Sequence, residues 1–378
     1  MNENVPASQV KRALWKDDWD EARAAMDGWW KGTAPALCVY SPRDEPWELF
    51  EAPPAPVSLE QQWLDPDWRA KSQLFQMSRT FYGGAAFPSF MTSIGPGSLG
   101  LFLGAEGHLA KDTVWYDPCI VDPDACPSLS FRADNPWVHR HQAILAKAAQ
   151  FAPGRYLVGY PDLIENIDTL AQIRGSQSVL MDLIERPEWV LNKIEEINKA
   201  YQDCYEWMLN EHKLLDAWGG TNYHHFSLWG TGLTSKVQCD FSCMISPRMF
   251  QKFVAPALRE QCRWIDNAMY HLDGTQALPQ LDTLLAIDTL NAIEWTPQAG
   301  LPQGGSAEWY GLYRKIRAAG KSVQAVGVSF DEVEPLIDAV GADGLMILTY
   351  APTETQARDL LARCGWPGNA KKEAHDRP

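Results

Sequence analysis

The chain has 378 residues, 46% hydrophobic and 21% charged, enough for one large α/β domain with a sizeable core or for two ordinary domains. With 33 basic against 48 acidic residues its formal charge is −15, which argues against nucleic acid or an anionic membrane as a main partner, since both reward a basic face. No apolar run reaches the roughly 18 residues of a membrane span, and residues 1–30 carry no apolar segment of signal-peptide length, so a cytoplasmic protein is expected.

Residues 1–33 read as a helical extension, and CVYSP (38–42) as an early strand. Residues 43–150, rich in Pro, Gly and Trp, read as long loops and short helices that cap one end of the fold. From Arg155 the chain becomes regular, with apolar runs of strand length alternating with amphipathic helical stretches, the pattern of repeated βα units. RYLVGY (155–160) is a strand, 168–184 a helix with Asp168 in cap position, and 187–212 a long helix with Pro at its opening turn. HHFSLWG (224–230) reads as the next strand. Residues 246–268 read as a helix with a kink near Pro256. Strand 268–274, helix 277–287, strand 290–296, helix 307–320, strand 322–328, helix 331–341, strand 344–350 and helix 353–365 complete the regular part. The polar tail 367–378 is expected to be disordered.

These elements predict a single (β/α)₈ barrel over 34–366, with the N-terminal helical and loop extension capping its mouth, since such barrels take about 250 residues plus insertions. An open doubly wound sheet is the rival. Against it, neither GxGxxG nor GxxxxGK[ST] follows any strand. The eight cysteines are scattered without a CxxC pair, so they read as reduced and structural. Tryptophan is in surplus, with 17 against 12 Tyr and 13 Phe, which suggests flat platforms around a ligand pocket as well as core.

In such barrels chemistry sits at the C-terminal ends of the strands. Those ends carry Tyr160 and Asp162, then the TNYHH block (221–225) with Asn222, His224 and His225, and Trp229, then His271 and Asp273, then Glu294 and Trp295, then Ser329, and finally Tyr350. His271 and Asp273 are two apart and face the same way, and Glu294 stands on the next strand, about 4.8 Å away. His271, Asp273 and Glu294 therefore form a candidate metal site of one nitrogen and two oxygen donors; the alternative is a core histidine satisfied by Asp273 or by backbone. Asp273, Glu294, Asp162 and His225 are the catalytic candidates. Tyr160, Asn222, Trp229, Trp295 and Tyr350 are candidates for substrate contact. His224 and His225, adjacent on a strand, would point to opposite sides. Cys239 and Cys243 read as packing residues, with Asp240 beside them facing the pocket.

In GYPDLIENIDTLAQIRGSQSVLMDLIERPEWV, CDFSCMISPRMFQKFVAPAL, MYHLDGTQALPQLDTLLAIDTLNAIEWTPQAG and AGKSVQAVGVSFDEVEPL, the sequence resembles the uroporphyrinogen decarboxylase superfamily, which includes the methylcobamide:coenzyme M methyltransferases. The resemblance covers roughly residues 155–365 and implies a (β/α)₈ barrel with its pocket at the C-terminal mouth. The decarboxylases carry an arginine-rich Met-Arg-Gln-Ala-Gly-Arg segment near the N-terminus, where this chain has CVYSPRDEPWELFEAPP with Arg43 alone. The methyltransferases hold zinc through His-x-Cys and a second Cys on a later strand. Here His271 keeps the histidine place, Asp273 stands in the cysteine place, and the later region reads AVGVSF. The resemblance thus implies zinc or another divalent metal on His271 with carboxylates replacing thiolates, a small-molecule substrate, a corrinoid on a partner protein and a homodimer.

Three functions follow as expectations. The first is metal-dependent methyl transfer, in which the metal lowers the pKa of a bound thiol or water. The second is glycoside hydrolysis with Asp273 and Glu294 roughly 5 Å apart, the spacing of retaining enzymes. The third is a barrel that binds without chemistry. A cofactor-independent decarboxylase of the same superfamily is a further alternative.

Overall fold

Strands covered on both faces must be apolar along their length, and the C-terminal half of the chain supplies four of them. In the computed structural model, which describes residues 14–366, they belong to a seven-stranded sheet in the order β2-β1-β13-β12-β11-β10-β9. The members are β1 (Ala36–Pro42), β2 (Thr80–Gly84), β9 (Thr234–Gln238), β10 (Asn267–Asp273), β11 (Ala292–Thr296), β12 (Ser322–Val328) and β13 (Leu345–Tyr350). All neighbours run parallel except β1 and β2. The fold is α/β, with helices packed outside a mostly parallel sheet. The predicted tail 367–378 and residues 1–13 of the predicted extension lie outside the described residues.

The other strands are short: β3 (Ser89–Phe90), β4 (Glu106–Leu109), β5 (Val114–Asp117), β6 (Leu157–Val158), β7 (Gly220–Tyr223) and β8 (Leu228–Thr231). β3 pairs with β6 in parallel, while β4–β5 and β7–β8 are antiparallel hairpins. Side chains tie these pieces together. Ser89 Oγ donates to Asn222 Oδ1 at 2.7 Å, Asn222 Nδ2 donates to the Val158 carbonyl, and Thr92 Oγ1 to that of Gly159. At Gly159 a Cβ would come within 2.8 Å of Asn222 Oδ1, so only glycine permits this approach.

Several expectations are corrected here. The segment 224–230 is not one strand: His224 to Ser227 form the turn of the β7–β8 hairpin. The strand that pairs with β10 is instead β9, TSKVQ, whose Lys236 and Gln238 interrupt the apolar pattern because they face a buried polar cluster. The predicted helix 168–184 is two helices, Asn166–Arg174 and Ser176–Glu185, broken at Gly175 with φ +90. Asp168 lies inside the first rather than at its cap. The kink near Pro256 takes the form of a π-turn, Phe250–Val254, ahead of helix Ala255–Trp264, since proline lacks an N–H and crowds the preceding carbonyl.

The N-terminal helix Trp19–Trp30 does not cap the mouth. Trp29 Nε1 donates to the carbonyl of Val323 and Trp30 Nε1 to that of Trp229, which places the helix at the beginning of β12, the end opposite the site. Residues 43–150 provide the cover over the other end and supply most of a second buried cluster, among them Leu74, Phe90 and Ile144, which Trp15 and Tyr156 join from outside the segment.

Candidate active site

The C-terminal ends of β9, β10 and β11 converge because the parallel register aligns them: His271 stands beside Gln238 on one side and Glu294 on the other. Strand alternation then sends Tyr270 and Leu272 into the core and leaves His271 and Asp273 on the opposite face, His271 lining the cavity and Asp273 exposed beyond it. Asp240, two residues beyond β9, joins them. One ligand atom each from Asp240, His271 and Asp273 lies within 4.8 Å of the others.

Glu294 is not part of that cluster. It is completely buried. Its Oε2 accepts from His271 Nδ1–H, and its Oε1 accepts from Thr296 Oγ1 at 2.6 Å. A carboxylate on Nδ1 fixes the tautomer and leaves Nε2 free on the cavity side. Burial disfavours the imidazolium, but the Glu294 charge and hydrogen bond outweigh it and raise the His271 pKa. The expected trio is therefore split, with Glu294 orienting the histidine while Asp240 takes its place beside the potential ligands.

Asp240 is held by a device the sequence hid. Asp168 Oδ2 accepts from the backbone N–H of Asp240 at 2.7 Å, and Oδ1 from that of Phe241 at 2.8 Å. This carboxylate caps the 3₁₀ turn Asp240–Met244 from a distant helix. Gln238 Nε2 donates to both Asp240 Oδ2 and Asp168 Oδ2. Burial and then the Asp168 charge push the Asp240 carboxyl up to about 7.

Across the cavity Lys236 forms a buried ion pair with Asp162, Nζ to Oδ1 at 2.9 Å, and also donates to Gln238 Oε1. Burial opposes both charges, yet each is favoured by the other: the Lys236 pKa is raised and that of Asp162 lowered. Glu165, sealed nearby, accepts from Gln238 N and is pushed by burial up to about 8. His225 faces the cavity from the hairpin turn, and burial lowers its pKa, so it is neutral at pH 7. Ser93 Oγ accepts from Asp162 N–H at 2.9 Å and lies 3.2 Å from His225 Nε2. Asp162, His225, Lys236, Asp240 and His271 all line one cavity of about 460 Å³.

The other candidates are placed elsewhere. Trp229 is buried against Trp19, with Nε1 donating to Asp216 Oδ2. Trp295 is buried against Trp309. Tyr160 stacks on Tyr205 with ring centroids 3.8 Å apart, and Asn222 is the strand tie described above. Tyr350 is exposed on a second, larger chamber of the same mouth. Cys239 is buried and Cys243 exposed. Lys236, Asp168 and Glu165 were not foreseen as site residues; the clue was a buried-length segment containing both Lys and Gln.

The donor set of one imidazole and two carboxylates fits a divalent cation such as zinc, manganese or iron, and does not reproduce a thiolate zinc site. Among the described residues no helix is long and apolar enough to cross a membrane. No family model matches the chain, and no curated protein matches it. The fold is similar to a solved structure titled methyltransferase from Methanosarcina mazei, with a TM-score of 0.56 at 11% identity, covering 90% of this chain and 97% of that one.

Proposed function

We propose that the cavity is the active site of a metal-dependent enzyme of the methyltransferase type acting on a small molecule. The observation that carries this reading is the convergence of Asp240, His271 and Asp273, with the far side of the imidazole held by a buried carboxylate. That arrangement matches the carboxylate–histidine–metal pattern of metalloenzymes. The likeness in fold to the Methanosarcina mazei methyltransferase supports transfer of a methyl group. The (β/α)₈ form of the fold is likewise our reading: the β3–β6 ladder and the Tyr160–Tyr223 bridge support closure between β2 and β9.

Asp240, His271 and Asp273 would hold the cation, which would supply Lewis acidity and a lowered pKa for a bound oxygen or sulfur nucleophile. Glu294 keeps His271 in the ligating tautomer, and Asp168 keeps Asp240 in reach. His225, neutral and beside Ser93, is placed to accept the proton that the nucleophile loses. The Lys236–Asp162 pair fixes the opposite wall. A corrinoid protein docking over the mouth would be the methyl carrier. Glycoside hydrolysis has no support in this geometry, because both Glu294 oxygens are engaged and no part of that residue reaches the cavity.

The test is metal content of the purified protein together with methyl transfer between methylcobalamin and small thiols or phenols. Stoichiometric divalent metal, lost in His271→Ala together with the transfer, is the expected result. Protein that takes up no divalent metal on reconstitution sinks the proposal.

A further inference from the structure

Beside the reaction cavity lies a chamber of about 880 Å³ at the ends of β1 and β13. The two spaces share His225. They are separated by the hairpin turn His224–Ser227, which is pinned from both sides: Tyr40 hydroxyl bonds to Ser227 Oγ, and Gln324 Nε2 donates to the Phe226 carbonyl at 2.8 Å.

The walls of the two spaces differ in charge. Asp112, Asp162 and Asp240 line the smaller one. Among the described residues no Asp or Glu lines the larger, although the chain has 48 of them. Among the described residues its one formally charged lining residue is Arg79, at the end of helix Pro66–Ser78. The Arg79 guanidinium lies 4.0 Å from the Phe75 ring and reaches Ser78 Oγ at 3.5 Å. Among the described residues no carboxylate forms an ion pair with it. The rest of the wall mixes small polar and aliphatic residues with five aromatic rings, Tyr40, Phe75, Tyr82, Phe87 and Tyr350. Tyr40 and Tyr350 stack with centroids 5.4 Å apart, Tyr82 meets Tyr40 edge-on at 5.9 Å, and Tyr350 is 75% exposed. An exposed stacked tyrosine presents a π-face to solvent where burial in a core would have hidden it.

We propose that this chamber binds a planar aromatic carboxylate of the benzoate class, its ring on the Tyr350 and Tyr40 faces and its carboxylate on Arg79, with the far edge of the ring directed past His225 toward the reaction cavity. Arg79 offers a planar fork that matches a carboxylate bidentately. A chamber whose described lining holds no acidic group, in a protein of −15 charge, removes the repulsion such an anion would meet elsewhere on the surface. The proposal deepens the group-transfer reading and rests on it for calling the ligand a substrate.

The test is calorimetric titration of the full chain, as purified and after chelator treatment, with benzoate, 4-methoxybenzoate, benzamide and cyclohexanecarboxylate. Benzoate and its methoxy derivative are expected to bind at least tenfold more tightly than the neutral amide or the non-aromatic acid. Arg79→Gln is expected to cut benzoate affinity at least tenfold and leave benzamide unchanged, with Arg79→Lys retaining part of the binding should the glutamine variant melt early. Equal affinity for benzamide, or no loss in both Arg79 variants, overturns the proposal. Benzoate binding by the unmutated chain, with no methyl transfer found in that same metal-loaded protein, leaves the chamber assignment standing and removes only the reading of the reaction. Metal-dependent transfer without aromatic-acid binding does the reverse.

Discussion

Glu294→Gln separates an orienting carboxylate from a ligand. The substitution keeps the shape of a side chain that is wholly buried and leaves Thr296 a partner, but it removes the negative charge that accepts from His271 Nδ1–H. A hydrogen bond between charged groups contributes about 1.5–3 kcal/mol. Loss of an outer partner to a metal-bound histidine typically costs about 10–100-fold in metal affinity, or roughly 1.4–2.7 kcal/mol at 1.36 kcal/mol per tenfold. The two routes agree on about 2 kcal/mol. Competition titration of zinc or manganese against a chromophoric chelator reads this directly, with His271→Ala and Asp273→Asn as ligand variants. The expected order is a moderate loss for Glu294→Gln and a near-complete loss for the other two. Unchanged affinity in Glu294→Gln, or a loss as complete as that of His271→Ala, would refute the division of roles.

Three further outcomes follow from the same contacts. Lys236→Met leaves Asp162 and Glu165 without their buried cation and should destabilise the fold by about 3–5 kcal/mol, seen as a lower urea midpoint; a midpoint shift under about 1 kcal/mol would show the pair to be dispensable. Asp168→Asn weakens the cap on the turn that carries Asp240, by about 1 kcal/mol, and should lower metal affinity less than Asp240→Asn does; an equal or larger loss would refute the positioning role. His141 is buried, lies 2.9 Å from Ser98 Oγ and 3.2 Å from the Trp137 carbonyl, and burial lowers its pKa to about 3. The unfolded chain takes up this proton below about 6.5 while the folded chain does not, so stability is lost as pH drops through that window, by about 1.4 kcal/mol per unit from this group. Thermal melts from pH 7 to 5 should show a shallower decline in His141→Gln, and an unchanged slope would contradict the assignment.

How much of this was legible in the sequence differs from element to element. β10, β11, β12 and β13 were readable within two residues, because a strand covered on both faces is a continuous apolar run with β-branched and aromatic residues. The long helix Pro187–His212 was placed at both ends, as its proline start and amphipathic period predict. β9 escaped because TSKVQ alternates toward a polar interior, a pattern that reads as an exposed segment when neighbours are unknown. The histidine pair reads as strand for the opposite reason: HHFSLWG looks continuous, yet Ser227 adopts φ +52 and the chain turns back.

The sequence by itself determined that His271 and Asp273 face one way at a strand end and that Glu294 neighbours them, since alternation and parallel register are local rules. It could not divide the carboxylates. Whether an acid orients a histidine or stands beside it in the cavity depends on which ring nitrogen it meets and on what seals it from water. Both are set by residues far apart in the chain: Asp168 holding Asp240 across 72 positions, and Lys236 pairing with Asp162 across 74. The contrast between an acid-lined cavity and an acid-free chamber is likewise a property of packed surfaces, and only the tertiary structure decided it.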